Sequence, residues 1–421
     1  MTNVKCAIKT MAMMLLSIVP NMGIKPIPIH PQLRGIERKK RMANIELKTK
    51  ILNDKYTEYV YEAFDIQNRE ETSVSIPMNL GEAKTFDWNI GVILGGSGSG
   101  KTTILKKMGG VKKVNFDAEK PLISNFDWLE PKDATLVLTS MGLSSVPTWL
   151  RPFHTLSNGE QYRATLAYLV ASAKDGEVIL VDEYTSVVDR DVAKAMSFAL
   201  QKYIRRENKR IIIASCHYDI LEWLMPDWTC SPQKGGALER GDWLRQGRPK
   251  ITLQVSRVEA ETWDFFKKHH YLTEEVNKSC KFLLFEWNDK PIGIIALINQ
   301  PNKNGKASAM GISRIVIMPD YQGMGLGVKI CEFSSAILRN NGACNVYIKT
   351  VNPALGEYFF KSEKWKPTSM NGKKGNTDAK AVNRKSRPSY CYEYIGEQID
   401  GYEELLLPIK EMRSKNEITL F

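Results

Sequence analysis

A glycine-rich segment near residue 100 has the residue types that bind phosphate groups. It runs Gly95-Gly96-Ser97-Gly98-Ser99-Gly100-Lys101-Thr102 and matches the pattern G-x-x-x-x-G-K-[ST], between an apolar stretch at 91–94 and a helix-like stretch that starts at Thr103. The glycines let backbone amides face phosphate oxygens, Lys101 can reach the β and γ phosphates, and the Thr102 hydroxyl can bind Mg²⁺. The segment, with Thr103, therefore predicts a site for a nucleoside triphosphate and Mg²⁺.

Two carboxylates follow a second apolar stretch, Val178–Val181. Asp182 is placed to hold Mg²⁺ together with Thr102, and Glu183 is placed to polarise the attacking water. Acidic pairs after strands are also common as helix caps, so this pair alone is a weak signal. A third motif strengthens this signal. The segment LSNGEQ at 156–161 precedes a helix that we expect over 162–171. Ser157 and the amides at the N-terminus of that helix form a second anion site.

Together the three motifs resemble those of the ABC-type ATPases, and the likeness covers roughly residues 45 to 230. LSNGEQ is similar to the family's LSGGQ signature, with Asn158 and Glu160 as departures. The resemblance implies that the nucleotide is ATP and that Ser157 and Gly159 contact it. It also implies that Asp189, in the segment 186–189, belongs to the D-loop, and that His217 senses the γ-phosphate as the switch histidine.

The same resemblance predicts partners. In this family the signature segment of a second copy covers the ATP that is bound to the glycine-rich loop of the first copy. Because this chain has one loop and one signature, the resemblance implies a head-to-tail homodimer. No Gln lies between Lys101 and Ser157, so the usual Q-loop ligand is missing, and Ser124 or Asn125 is a weak replacement. That interval is shorter than in transporters, and the longest apolar run, 11–20, is too short to span a bilayer. We therefore expect no membrane partner.

A second glycine pattern, Gln322-x-x-Gly325-x-Gly327, follows a strand-like stretch at 313–318 and precedes a helix-like stretch at 328–340. This spacing lets amides at a helix N-terminus bind a pyrophosphate. A dinucleotide-binding fold is the rival interpretation, but no acidic residue follows a strand about 20 positions later.

This segment resembles motif A of the GNAT acyltransferases, and the likeness extends over roughly residues 255 to 395. It implies that acetyl-CoA, or another acyl-CoA, lies on Ile317, Gln322, Gly323, Met324, Gly325, Leu326 and Gly327. The family tyrosine that protonates the leaving thiolate aligns with Phe360, and Tyr358, two residues earlier, is the candidate acid. His270 is a candidate base or substrate contact. The segments 269–272 and 313–327 are also similar to the Mom-type DNA-modification branch, and an ABC ATPase joined to a GNAT domain resembles a prokaryotic and phage family.

Composition is typical of a globular protein: 421 residues, 43% hydrophobic and 25% charged, with a net charge of +12. The basic excess is concentrated at 1–41 and at 366–387. The second segment could follow the phosphates of DNA or RNA, or it could be a solvated loop. Seven cysteines without a C-x-x-C pair argue against a disulfide framework and favour the cytoplasm, that of the host if a phage encodes the chain.

We therefore predict an α/β protein: an ABC-type P-loop ATPase domain followed by a smaller GNAT-like α/β acyltransferase domain. The expected parts are a basic, disordered extension (1–41), the ATPase domain (42–230), a connector (231–250), the acyltransferase domain (251–398) and a C-terminal tail (399–421). In the first domain we expect strands at 90–94, 134–139, 178–181 and 211–215. Three functions follow as hypotheses: ATP-coupled N-acylation of a nucleic acid, an ATP-switched clamp with an inactive GNAT domain, or N-acetylation of a protein or small molecule.

Overall fold

The computed structural model describes residues 43–67, 69–270, 275–300, 309–343, 345–372, 389–408 and 416–420. The predictions for residues 1–41, for Tyr271 and for most of the basic segment 366–387 therefore lie outside the described residues. Among the residues described, no helix is both long and apolar enough to cross a membrane.

The first part of the chain carries seven strands and eight helices within its described residues. The strands are β1 (Ala43–Lys50), β2 (Glu71–Met78), β3 (Ile90–Leu94), β4 (Val178–Val181), β5 (Arg210–Ser215), β6 (Trp228–Cys230) and β7 (Leu238–Arg240). The helices are α1 (Lys55–Ala63), α2 (Lys101–Lys107), α3 (Pro131–Ser140), α4 (Val146–Trp149), α5 (Asn158–Ser172), α6 (Arg190–Arg206), α7 (Leu221–Leu224) and α8 (Trp243–Gln246).

The second part carries the remaining described elements. Its strands are β8 (Ile251–Val258), β9 (Lys281–Trp287), β10 (Lys290–Gln300), β11 (Ala309–Ile317), β12 (Asn345–Thr350), β13 (Trp365–Pro367), β14 (Tyr390–Tyr394) and β15 (Asn416–Leu420). Its helices are α9 (Trp263–Phe266), α10 (Leu326–Asn340) and α11 (Pro353–Lys361).

A five-stranded sheet organises the first part, in the order β4-β5-β3-β6-β7. Its first four strands are parallel and β7 is antiparallel. The central strand β3, together with β4 and residues 211–214 of β5, is apolar because protein covers both faces, as parallel sheets require. The hairpin of β1 and β2 packs at its side, with Ile45 and Ile76 buried.

Three of the four strands predicted for this sheet are confirmed, and the fourth is wrong. Residues 134–139 lie in α3, which has Pro131 at its first turn. Ala134, Val137 and Leu138 are buried at helical spacing, while Leu136 is exposed. A short apolar run fits a strand or a buried helix equally well, and here the helical period decides.

An eight-stranded sheet organises the second part, in the order β13-β14-β12-β11-β10-β9-β8-β15. β11 and β12 are parallel and pair only over 309–312 and 345–348, although β11 continues to Ile317. The two strands therefore separate from Ser313 onward, and α10 begins after the loop that follows β11. This confirms the predicted α/β fold class: a largely parallel sheet with helices, then a second α/β sheet.

Two segments expected to lie between and after the domains contribute strands to the sheets. The expected connector 231–250 contains β7, which pairs with β6 and completes the first sheet. The expected tail 399–421 contains β15, which pairs with β8 at the edge of the second sheet, and the buried residues Leu405 and Leu406. In the tail, the alternation that buries Ile418 and Leu420 and leaves Glu417 exposed is an ordinary strand pattern.

Helix α6 lies between the two sheets. Ala193, Met196 and Leu200 pack into the core of the first part, whereas Ala195 and Phe198 belong to the core that fills the second. One helix therefore packs into the cores of both halves.

Candidate functional site

The loop after β3 has the backbone geometry of a phosphate cradle. Gly98 and Gly100 have φ values of +75° and +92°, which side chains disfavour. A β-carbon at Gly100 would lie 2.6 Å from Ile76 of β2, so the hairpin fixes the loop only because residue 100 is glycine. The buried Ser99 hydroxyl has no hydrogen-bond partner among the described residues. This conformation suits a polyphosphate, and the nucleotide site stays a prediction.

Lys101 lies folded onto the loop. Its ammonium donates to the carbonyl oxygens of Gly95, at 2.7 Å, and of Gly96, at 2.8 Å. The cation is thus held where the phosphates are expected. The amide of Gly96 donates to the Gln233 side chain at 3.2 Å. Gln233 was missed by sequence reasoning because it lies far along the chain, in the segment expected to be a connector.

Thr102 and Asp182, the two predicted Mg²⁺ ligands, line the same pocket beside the loop, together with Tyr162. Among the described residues no group of three or more His, Cys, Asp or Glu could hold a metal. One hydroxyl and one carboxylate, with phosphate oxygens and water, still suit Mg²⁺, which usually keeps few protein ligands. The donors therefore fit the predicted ion.

Glu183 and Thr185 follow β4 in strained backbone conformations, with φ values of +48° and +70°. The Glu183 amide donates to the Asp182 carboxylate at 2.9 Å. The Thr185 hydroxyl lies 3.1 Å from Nδ1 of His217, and the His217 amide donates to the Ser215 hydroxyl. The predicted switch histidine thus contacts Thr185, two residues after the predicted general base in the same strained turn.

Ser157 is the N-cap of α5 and is exposed, as a surface for a partner must be. Its hydroxyl donates to the Glu160 carboxylate at 2.9 Å, and its amide donates there at the same distance. Burial raises the pKa of Glu160, but these bonds outweigh it and the pKa lies below its usual value. The departure from Gln to Glu at position 160 therefore builds a capping box that holds the signature serine.

Asp189 is the N-cap of α6 and also pairs with the second part of the chain. Its carboxylate accepts from the Lys290 ammonium at 3.0 Å, and Asp191 accepts from the same ammonium at 3.0 Å. Lys290 begins β10, and the preceding Asn288 also donates to Asp191. Hydrogen bonds to Asp191 and Asp189 raise the pKa of Lys290. Nothing in the local sequence signals this contact.

The loop after β11 forms a second anion cradle. Gly323 and Gly325 have φ values of +85° and +82°, and Gly325 is the N-cap of α10. The amides of Gly323, Met324 and Gly325 have no acceptor among the described residues. The Gln322 amide group donates to the carbonyl of Ile317 at 2.6 Å, and its own carbonyl oxygen is buried without a partner. Free amides at a helix N-terminus fit the pyrophosphate of acyl-CoA.

Tyr358 is already engaged by another side chain. Its hydroxyl donates to the carboxylate of Glu332 on α10 at 2.6 Å. Burial and Glu332 raise the pKa of Tyr358, and proton loss would leave a phenolate beside a carboxylate. Phe360 is 74% exposed and points away from the core. This geometry opposes Tyr358 as the acid for a thiolate, and that role stays a prediction.

His270 is 9% exposed and packs edge-on against Trp263, with ring centroids 5.7 Å apart. Its role as a base or substrate contact also stays a prediction. For the neighbouring His269, burial and Lys268 lower the pKa, while Asp320 and Glu160 oppose this shift.

Comparison with known proteins supports part of this description. Residues 218–358 match the model of the acetyltransferase (GNAT) family, so the second part of the chain carries a GNAT acetyltransferase domain. The match begins before β6, inside the five-stranded sheet of the first part. No curated protein matches the sequence.

Solved structures match each half at low identity. A dimeric ATP-binding cassette in a post-hydrolysis state, bound to ADP and Pi, is 16% identical, with 41% of this chain and 93% of that chain covered and a TM-score of 0.32. The acetyltransferase of Bacillus subtilis in complex with CoA is 12% identical, with 34% and 97% covered and a TM-score of 0.27. The ribosomal-protein-S18-alanine N-acetyltransferase of Escherichia coli is 15% identical, with 35% and 96% covered and a TM-score of 0.26.

Proposed function

We propose that this protein is a bifunctional enzyme in which ATP hydrolysis by a head-to-tail homodimer drives acyl-CoA-dependent N-acyl transfer to a nucleic-acid base. One observation carries the coupling: Asp189, the N-cap of α6, pairs with Lys290 of the GNAT domain, and the same helix packs against the loop at Gly323. Each predicted site therefore touches the same helix.

ATP chemistry follows from the residues around the first loop. Lys101 exchanges its two carbonyl partners for phosphate oxygens, and the Glu183 carboxylate accepts a proton from the attacking water. Mg²⁺, held by Thr102 and Asp182, would neutralise charge on the phosphate oxygens. His217 reports the state of the γ-phosphate to Thr185 through the 3.1 Å contact. The exposed Ser157 closes the site of a second copy.

Acyl transfer uses the opening between β11 and β12. The amides of residues 323–325 bind the pyrophosphate, and the gap that starts at Ser313 receives the thioester. An acceptor amine then attacks the thioester carbonyl: a C–N bond forms and the C–S bond breaks. The amine nitrogen loses one proton and the leaving thiolate takes one up, so that an amide and the CoA thiol result. The Tyr358–Glu332 hydrogen bond favours a second candidate, an ATP-switched clamp whose GNAT domain has lost its chemistry.

An aromatic cleft supports a nucleic acid as the acceptor. Phe360, Tyr390 and Tyr392 line it, and so do Gly372 and Ser389, which in sequence flank residues 373–388, most of the basic segment 366–387. Phe360 is exposed in this cleft and Lys361 also lines it, and an exposed ring beside a cation is typical of surfaces on which bases stack while cations follow the backbone.

The acceptor can be identified directly. DNA and RNA from cells that express the wild type or Gly325→Glu are digested to nucleosides and compared by mass spectrometry. A new acylated nucleoside in the wild type alone supports the proposal. Identical nucleosides in both, with acyl-CoA consumption by the wild type, would favour a protein or small-molecule acceptor.

Salt dependence tests the basic segment. Neutralising Lys373, Lys374, Arg384, Lys385 and Arg387 should flatten the slope of log affinity against log salt, because fewer counterions are released on binding. An unchanged slope would mean that the segment is a solvated loop.

A further inference from the structure

The acyl-CoA loop is closed on one side by the ATPase part of the molecule. A β-carbon added at Gly323 would lie 2.7 Å from the β-carbon of Ala199 on α6 and 3.8 Å from the carbonyl oxygen of Thr139 on α3. A second anchor is the ion pair between Arg163 of α5, which is almost fully buried, and Asp320, at 3.0 Å. A ligand on this loop must therefore lie next to the surface of α6.

That surface carries a cation. Lys202 lies three residues after Ala199, on the same face of α6. Its ammonium is 5.6 Å from the centroid of the Phe198 ring, and the guanidinium carbon of Arg248 is 5.1 Å from the same centroid. Arg248 also donates to the carbonyl of Met324 in the acyl-CoA loop, at 3.4 Å. Two positive groups thus share one ring at the edge of the loop.

Their electrostatics favour an anion. No carboxylate of the described residues lies within 4.0 Å of the Lys202 ammonium. Lys202 is exposed overall, yet neighbouring atoms remove part of the hydration of its ammonium, and Arg248 and Arg206 repel its charge; both effects lower the pKa of Lys202. Loss of hydration lowers the pKa of Arg248 to about 10. A bound phosphate would relieve this repulsion.

We propose that Lys202 of the ATPase part and Arg248 bind phosphate groups of acyl-CoA, so that the acyl-CoA site is built from both halves of the molecule. The proposal rests on acyl-CoA binding by the GNAT loop. Acyl-CoA carries a pyrophosphate and a separate 3′-phosphate, and the loop itself offers amides but no cation. The loop amides take one phosphate group, and the two cations supply the charge that the loop lacks.

Calorimetry on the full chain tests this with CoA as the probe. Lys202→Glu should weaken CoA binding by about tenfold or more, because a charge-assisted contact is lost and a repulsive one is gained. Lys202→Arg should stay close to the wild type. Lys48→Glu is the matched control: it makes the same charge change at an exposed ion pair on β1, with Glu71, and should leave CoA affinity unchanged. ATP affinity should be the same in all four proteins, which shows that they are folded.

The possible results separate this proposal from the one on which it rests. If the wild type binds CoA and Lys202→Glu binds it within twofold, the composite site is wrong while the acyl-CoA site stands. If Lys48→Glu weakens binding as much as Lys202→Glu, general charge explains the effect and the composite site is again wrong. A wild type that does not bind CoA would overturn both proposals.

Repeating the titrations with 3′-dephospho-CoA identifies the phosphate. If the effect of Lys202→Glu persists, Lys202 contacts the pyrophosphate; if it disappears, Lys202 contacts the 3′-phosphate. Both results support the composite site.

Discussion

The two glycine-rich loops of this molecule have similar backbones but differ in the residues that pack against them and in the charge they carry. Each leads from a strand into a helix N-terminus, and each needs glycine at positive φ where a neighbour approaches closely. At Gly100 that neighbour is Ile76 of the adjacent hairpin, whereas at Gly323 it is Ala199 of the other half of the chain. The first loop also contains its own cation, Lys101, which already lies on it. The second loop has none.

This difference indicates which of the two proposed sites needs residues from the other half of the chain. In the proposed ATP site, the first loop supplies its own amides and cation and needs only the signature of a second copy. In the proposed acyl-CoA site, the second loop needs a cation from α6, whose Asp191 and N-cap Asp189 pair with Lys290. A movement of α6 during the ATP cycle would therefore reach the acyl-CoA loop directly. Variants that change one loop at a time test whether the two loops differ in this way.

The largest effect is expected at Lys101. Lys101→Ala should reduce ATP hydrolysis by about 10²–10³-fold, because the cation that stabilises charge on the transferring phosphoryl group is lost. Steady-state phosphate release measures it, and CoA affinity should not change. Wild-type hydrolysis in this variant would mean that the first loop is not the ATP site.

Gly325→Glu should weaken CoA binding by at least about 100-fold, because it combines strain at φ +82° with a negative charge against the pyrophosphate. ATP binding should be unaffected. Gly342→Glu is a matched control, since Gly342 has the same φ of +82° and open space around it. Equal CoA affinity in both variants would contradict the assignment of the second loop.

Ser157→Arg should abolish ATP turnover and spare ATP binding, because the exposed signature serine acts on the nucleotide of a second copy. Wild-type hydrolysis per chain should rise steeply with protein concentration for the same reason. Phosphate release and ATP titration of the variant measure the first effect. A dilution series of the wild type across the monomer–dimer transition measures the second. A constant rate per chain would exclude a composite ATP site.

The smallest effect is expected at the contact between the halves. Burial raises the pKa of Asp189, but hydrogen bonds from the Val192 amide and from Lys290 outweigh it, so the pKa lies below its usual value. Lys290→Met should lower the free energy of unfolding by about 0.5–1 kcal/mol, as for a partly exposed pair.

The sign of the pH dependence follows from that pKa. An Asp with a lowered folded-state pKa stabilises the protein above its unfolded value, and this contribution disappears as the pH falls through the folded value. Denaturant unfolding should therefore show the difference between wild type and Lys290→Met at neutral pH and its loss below about pH 4. A difference that stayed constant down to pH 2 would mean that the ion pair does not contribute.

Local motifs could be predicted from the sequence because contiguous residues define them. The strands before both loops, helix α5 and the pairing of Thr102 with Asp182 at one pocket all follow from short patterns. The helix at 131–140 was mistaken for a strand because six apolar-rich residues do not reveal their period.

Long-range contacts could not be predicted. Gln233 at the ATP loop, Lys290 at Asp189 and Ala199 at Gly323 each meet a residue about 100 or more positions away, and no local pattern marks them. The Tyr358–Glu332 bond joins residues only 26 positions apart, but no local pattern marks it either. A tyrosine near the expected position was visible, but the carboxylate that holds its proton lies on another helix.

Coupling between the two sites is the central claim, and modified base per enzyme chain, with ATP and acyl-CoA in excess, tests it most directly. The comparison is among wild type, Glu183→Gln and Lys101→Ala. The wild type should give many turnovers. Glu183→Gln, which should trap the ATP-bound dimer, should give at most about one, and Lys101→Ala, which cannot close, should give almost none. Equal multiple-turnover yields from all three proteins would contradict coupling and leave two independent enzymes in one chain.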